Sequence, residues 1–182
     1  MEKLDPNRKY TYADYLTWPD EIRCEIIDGV IWDMSAAPNM EHQRVSGEIF
    51  GIFWQKLKGK PCRVFAAPFD VRLDVVTVVQ PDIAVICDKK KIEKSCCNGA
   101  PDIVIEILSP STGFKDETEK MALYEKFRVK EYWIVNPGAQ YIMIYRLNGD
   151  TFDKPEYLKD NDIIRSVVLK GIEIPLPDIF KE

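Results

Sequence analysis

Glu106 stands in the stretch PDIVIEILSPST, flanked by Ile103, Val104, Ile105, Ile107 and Leu108. A short run this rich in β-branched residues has the pattern of a strand covered on both faces. An unpaired carboxylate costs several kcal/mol in such a place unless a cation, a proton or hydrogen bonds compensate it. A second acid has a similar setting: Asp82 opens the apolar run of VVQPDIAVIC. Strand alternation groups Asp82 with Ala84 and Ile86, and Glu106 with Val104 and Leu108. Two neighbouring strands that deliver these acids to a common face would make an oxygen-rich pocket. Such a pocket suits a hard divalent cation such as Mg²⁺, completed by water and a backbone carbonyl. A third group follows SPSTG, where Asp116, Lys120, Tyr124 and Phe127 fall on one helical face. A helix doubling back along the sheet would carry the Lys120 amine toward Glu106. Taken singly, each residue has an ordinary structural explanation: a strand start for Asp82, a basic partner for Glu106, an exposed helical pair for Asp116 and Lys120.

The elements that must position these groups are legible from periodicity. A short helix is expected over 12–16, then a hairpin turning at Asp28-Gly29 between 24–27 and 30–34. Val45, Ile49, Ile52, Phe53 and Leu57 recur at helical spacing, which predicts an amphipathic helix over 42–58. Strands are expected over 63–66, 69–73, 83–86 and 103–108, with a loop or short helix around 89–99. The second long helix is placed at 115–127. EYWIV and YIMIYRL then flank NPGAQ as a hairpin, Asn148-Gly149 turns the chain into TFDKPEYL, and GIEIPLPDIF closes the sheet or covers its edge. The expected class is α/β: a mixed β-sheet flanked by helices, with additional β-hairpins.

Composition bounds the rest. A chain of 182 residues with 46% hydrophobic content suits one substantial core, so residues 1–182 are expected to form a single domain. No apolar run is long enough for a membrane span and no leader pattern is present, so a cytoplasmic protein is expected. Five cysteines without metal-pair spacing are expected to be reduced thiols. A net charge of −5 argues against coating nucleic acid through bulk electrostatics, while leaving room for a localised basic track. Lys89, Lys90, Lys91 and Lys94 are balanced by Asp88 and Glu93 and read as a solvated loop.

The succession VVQPDIAVI, DIVIEILSPST and KDETEKMALYEKFRVKEYWIVNP resembles the Uma family of restriction endonucleases, a branch of the PD-(D/E)XK nuclease superfamily. EIIDGVIWDMSAAPNMEH and GIEIPLPDIF extend the resemblance over most of the chain. It implies a restriction-endonuclease-like core, a DNA substrate, a bound Mg²⁺ or Mn²⁺ and a homodimer. Asp82 and Glu106 match the metal-binding acids. The superfamily's lysine two residues after the glutamate is here Leu108, and Lys120 matches the lysine that the family carries on its helix. Arg128 stands where the family usually has glycine, and Asn136 where it usually has aspartate.

On this basis Asp82, Glu106 and Lys120 are the expected catalytic residues, with Asp82, Glu106 and the Ile107 carbonyl as metal ligands. Asp116 is expected to position Lys120. His42, the chain's one histidine, and Glu25 are expected in the wall around them. The missing strand lysine and the acidic balance keep open a non-catalytic binding or oligomeric module on the same fold. A structural role, with Glu106 simply paired to Lys120, is the third alternative.

Overall fold

The computed structural model describes residues 5, 7–19, 22–34, 38–109 and 114–181, with residues 114–118 described as backbone alone. In chain order the elements are α1 (Tyr12–Tyr15), β1 (Cys24–Ile27), β2 (Val30–Asp33), α2 (Met40–Lys56), β3 (Arg63–Ala66), β4 (Asp70–Asp74), β5 (Thr77–Val79) and β6 (Ile83–Ile86). A 3-10 turn (Lys89–Lys91) leads to β7 (Cys96–Asn98), β8 (Ile103–Ile107), α3 (Phe114–Lys126), β9 (Glu131–Asn136) and β10 (Tyr141–Asn148). The chain ends with β11 (Thr151–Phe152), β12 (Glu156–Lys159), β13 (Ile163–Arg165), β14 (Glu173–Pro175) and α4 (Pro177–Phe180).

The fold is mixed α/β, as the periodicity predicts. The larger sheet runs β11-β10-β9-β8-β6-β3, with β12 also paired to β10, and a second sheet runs β2-β1-β5-β4-β7. β8 and β9 are parallel, while β6 is antiparallel to β8. A parallel pair needs a crossover, and α3 supplies it. Alternation along the central strands sorts their side chains onto two cores. Ile83, Val85, Ile103, Ile105, Trp133 and Val135 pack under Val45, Ile49 and Phe53 of α2. Ala84, Ile86, Val104, Tyr132 and Ile134 pack under Leu123 and Tyr124 of α3. A strand with a helix on each face has no solvated side, which is why β8 reads as a continuous apolar run and why Glu106 stands out in it.

Several boundaries differ from the sequence expectation for local reasons. α2 begins at Met40 because Asn39 caps it, its side chain accepting the His42 N–H at 2.9 Å. That cap puts His42 in the first helical turn. The short strands β5 and β7 carry too few residues to show a period. The tail does not join the larger sheet: β14 pairs with β13 in a two-stranded unit, and α4 packs against α2. The expectation that all cysteines are reduced is corrected. Antiparallel pairing of Arg63 with Ile86 brings Cys62 beside Cys87, and the two are joined as a disulfide, while Cys24, Cys96 and Cys97 are free. That proximity comes from strand register and has no signature in residues so far apart in the chain. Among the described residues no helix is long and apolar enough to cross a membrane.

Candidate active site

The β6–β8 register pairs Ile83 with Ile105 and Ala84 with Val104. Continued by one position, it sets Asp82 opposite Glu106. Both acids line one cleft of about 540 Å³, together with His42, Glu25, Ile107 and Lys120. The two adjacent strands therefore deliver the two carboxylates to a shared space, with the helix amine beside them.

Each carboxylate is gripped through one oxygen. Asp82 Oδ2 accepts the Ile107 N–H at 2.7 Å and faces His42 Nε2 at 3.2 Å. Glu106 Oε1 accepts the Tyr124 hydroxyl at 2.7 Å and the Lys120 amine at 3.0 Å. Lys120 also donates to Glu25 Oε1 at 3.2 Å, and that same oxygen accepts the Gln80 N–H at 2.9 Å. Lys120 thus lies between an acid of β1 and an acid of β8. Asp82 Oδ1 and Glu106 Oε2 stand outside these bonds.

Burial and charge act strongly here. Burial pushes the Glu106 carboxyl up to about 7; the Lys120 ammonium and the Tyr124 hydroxyl pull it down, and the negative charges of Asp82 and Glu25 push it up further. Burial alone would lower the Lys120 ammonium, yet Glu106 and Glu25 outweigh it and hold Lys120 above the ordinary lysine value. Tyr124 is held well above the usual phenol range, first by burial and then by the Glu106 charge. The hydrogen bond to Asp82 raises His42 against the opposing effect of burial, with further help from the Ile107 backbone. His42 Nδ1 is buried without a hydrogen-bond partner among the described residues.

The donors gathered here are oxygens. Among the described residues no group of three or more His, Cys, Asp or Glu side chains is arranged to hold a metal by itself. Two carboxylates and the Ile107 carbonyl offer oxygen alone and fall short of a full shell. Mg²⁺ tolerates that, because it keeps several waters and leans on substrate phosphates rather than on an all-protein cage.

A family model described as "Putative restriction endonuclease", Uma2, matches residues 12–177. The chain belongs to the Uma2 family. It is also similar to an uncharacterized protein of Synechocystis sp., 28% identical over 151 residues that cover 80% of this chain and 78% of that one. Among solved structures it is similar to a putative nuclease of the DUF820 group from Anabaena variabilis, with a TM-score of 0.78 and 22% identity over 94% of this chain and 97% of that chain. That likeness shows the shared fold.

The Uma2 departures have local explanations. Leu108 packs at the edge of the α3-side core, and the amine that Glu106 meets comes from Lys120. Arg128 has φ +63°, the left-handed backbone that favours glycine, so an arginine holds this turn at a greater backbone cost than glycine would. Asn136 Oδ1 accepts the Ala139 N–H at 2.9 Å, a turn bond that an aspartate makes equally well.

Sequence reasoning brought Asp82, Glu106, Lys120, Ile107, His42 and Glu25 to one place, and the structure gathers all six around the cleft. The Asp116 side chain lies outside the described residues; its backbone is one turn before Lys120 on α3. Tyr124 shares the helical face of Lys120, and that spacing is the sequence signal that its hydroxyl reaches the same carboxylate. Gln80 carries no such signal, because a backbone N–H donor leaves no mark in the sequence.

Proposed function

We propose that this Uma2 chain is a metal-dependent endonuclease that hydrolyses DNA phosphodiester bonds at the Asp82–Glu106–Lys120 cluster. The single observation that carries the reading is the Lys120 amine 3.0 Å from Glu106, in the cleft that Asp82 also lines. It supports the view that the helix supplies the amine which Leu108 cannot. Asp82, Glu106 and the Ile107 carbonyl would hold Mg²⁺ or Mn²⁺. When bound, the ion supplies charge stabilisation to the phosphoryl oxygens and a nucleophilic water at neutral pH. Lys120 places a fixed positive charge beside the scissile phosphate, Glu25 keeps that amine in place, and Asp116 is assigned to the same task. Tyr124 fixes the orientation of Glu106, and His42 does the same for Asp82. The proposal extends to residues 1–182 acting as one restriction-endonuclease-like domain, to a homodimer that cuts both strands, and to a cytoplasmic setting.

The test is cleavage of linear and supercoiled DNA with Mg²⁺ or Mn²⁺ by wild type, Asp82→Ala and Glu106→Ala proteins purified identically. Wild type is expected to cut, with each variant slower by about a hundredfold or more. Equal degradation by all three marks a contaminant and ends the proposal. A second reading, a structural role in which Glu106 simply pairs with Lys120, is favoured by the closed Glu25–Lys120–Glu106 pairing. For that role, Glu106→Gln lowers stability and leaves Mn²⁺ affinity unchanged by calorimetric titration; for the nuclease, the affinity falls, and a non-catalytic binding module retards DNA without products.

A further inference from the structure

The inner face of the β1–β2 hairpin has chemistry that the metal cluster does not use. Register pairs Glu25 with Trp32 and Ile27 with Val30, and the Met34 N–H donates to the Arg23 carbonyl at 3.3 Å. Directly opposed residues of an antiparallel pair point to the same side of the sheet. Glu25 faces the cleft and grips Lys120, so Trp32 stands beside Glu25 on the same face. Trp32 is 36% exposed and Arg23 is exposed; both line the cleft. An indole open to water beside that ion cluster offers a flat face to a ligand in the cleft.

We infer that the Trp32–Arg23 face of the hairpin is a stacking platform for an unpaired nucleobase adjoining the scissile phosphate, so that the substrate of the cleft is single-stranded DNA or a locally unpaired strand. Cleavage of the strand beside that base rests on the nuclease reading, while the platform stands on its own geometry. Successive bases of an unpaired strand stack on aromatic side chains, and arginine adds a cation for the backbone or the π-face. A base inside a duplex has both faces covered by its neighbours and offers an indole nothing until it leaves the stack. The cleft volume of about 540 Å³ lies in the range that encloses a single small ligand. Beyond the Glu25–Lys120–Glu106 pairing, its walls carry Asp33, Asp82 and Glu119 against Arg23, an acidic excess that opposes the dense phosphate charge of a duplex more than that of one strand.

The experiment separates binding from cutting. The full chain, in chelator without divalent cation, is titrated with a single-stranded oligodeoxynucleotide and with a duplex of equal length, read by intrinsic tryptophan fluorescence and by anisotropy of the labelled DNA. Expected are quenching by the single strand, weaker binding of the duplex, and a loss of single-strand affinity of roughly five- to a hundredfold in Trp32→Ala, the range for removing one base–aromatic stack. Trp32→Phe keeps a ring, so most affinity is retained while that quench disappears, which separates stacking from a folding defect. Trp32→Ala binding the single strand as tightly as wild type overturns the platform. So does duplex DNA that is bound as tightly as the single strand and, with Mg²⁺, cut as fast by Trp32→Ala as by wild type, even though the nuclease reading survives. Tight, Trp32-dependent single-strand binding with no cleavage in Mg²⁺ upholds the platform and removes the nuclease.

Discussion

Glu106 is a carboxyl whose environment favours the proton, and this has a readable sign. Its pKa rises from the ordinary value of 4.5 to about 7 on folding, so between those values the folded chain holds a proton that the unfolded chain releases. Stability therefore falls as pH rises through that window. His42 acts in the same direction: its pKa is raised in the folded chain, so its contribution is complete below the ordinary histidine value and is lost above it. Urea denaturation of wild type at pH 5 and pH 7 is expected to show the loss. Glu106→Gln is expected to flatten it, leaving the smaller slope that His42 provides. Identical slopes in the two proteins would mean that Glu106 ionises freely. At this scale the sequence was informative because β-branched neighbours made one acid conspicuous. It was silent on Tyr124 and Gln80, whose contributions depend on which hydroxyl and which N–H the fold aims at a carboxylate.

The turn after α3 is where one element shows the cost of a side chain. Arg128 adopts φ +63° and offsets part of that cost by bonding Asp150 and the Gly149 carbonyl across the turn. Both partners are exposed, and exposed ion pairs contribute about 0–1 kcal/mol, whereas a left-handed non-glycine residue costs about 1–2 kcal/mol. Arg128→Gly is therefore expected to raise the unfolding free energy by about 0.5–1 kcal/mol, with cutting of any DNA substrate unchanged; an equal loss in a urea melt would assign more weight to the ion pair. Elements with several turns or several apolar alternations, such as α2, α3, β8 and the β9–β10 hairpin, were legible because their periods repeat. β5 and β7 were not, since three residues carry no period and their existence depends on pairing with β4. Glu131 shows the same limit. It is fully buried in β9, and its carboxylate accepts Trp133 Nε1 at 2.9 Å, the Ser166 hydroxyl at 3.1 Å and backbone N–H groups of Val167 and Val168. Nothing in EYWIV announces that this acid ties the larger sheet to the segment that leads into β14.

Across the whole molecule, the cleft is built between two sheets. Glu25 belongs to the smaller one and Glu106 to the larger, and the Lys120 amine, 21% exposed, lies between them. Lys120→Ala would leave those two carboxylates facing each other with no cation between them. Breaking a buried pair in this way costs about 3–5 kcal/mol. The loss is expected to be larger at pH 8 than at pH 5, where Glu106 takes up a proton, and chemical denaturation at the two values measures it. An equal loss at both would place the amine's partner elsewhere.

Because the amine comes from the crossover helix of the larger sheet and one of its two acids from the smaller sheet, the Glu25–Lys120–Glu106 clasp exists in neither sheet alone. A copy whose smaller sheet has come away loses the Glu25 arm, while Lys120 and Glu106 stay on neighbouring elements.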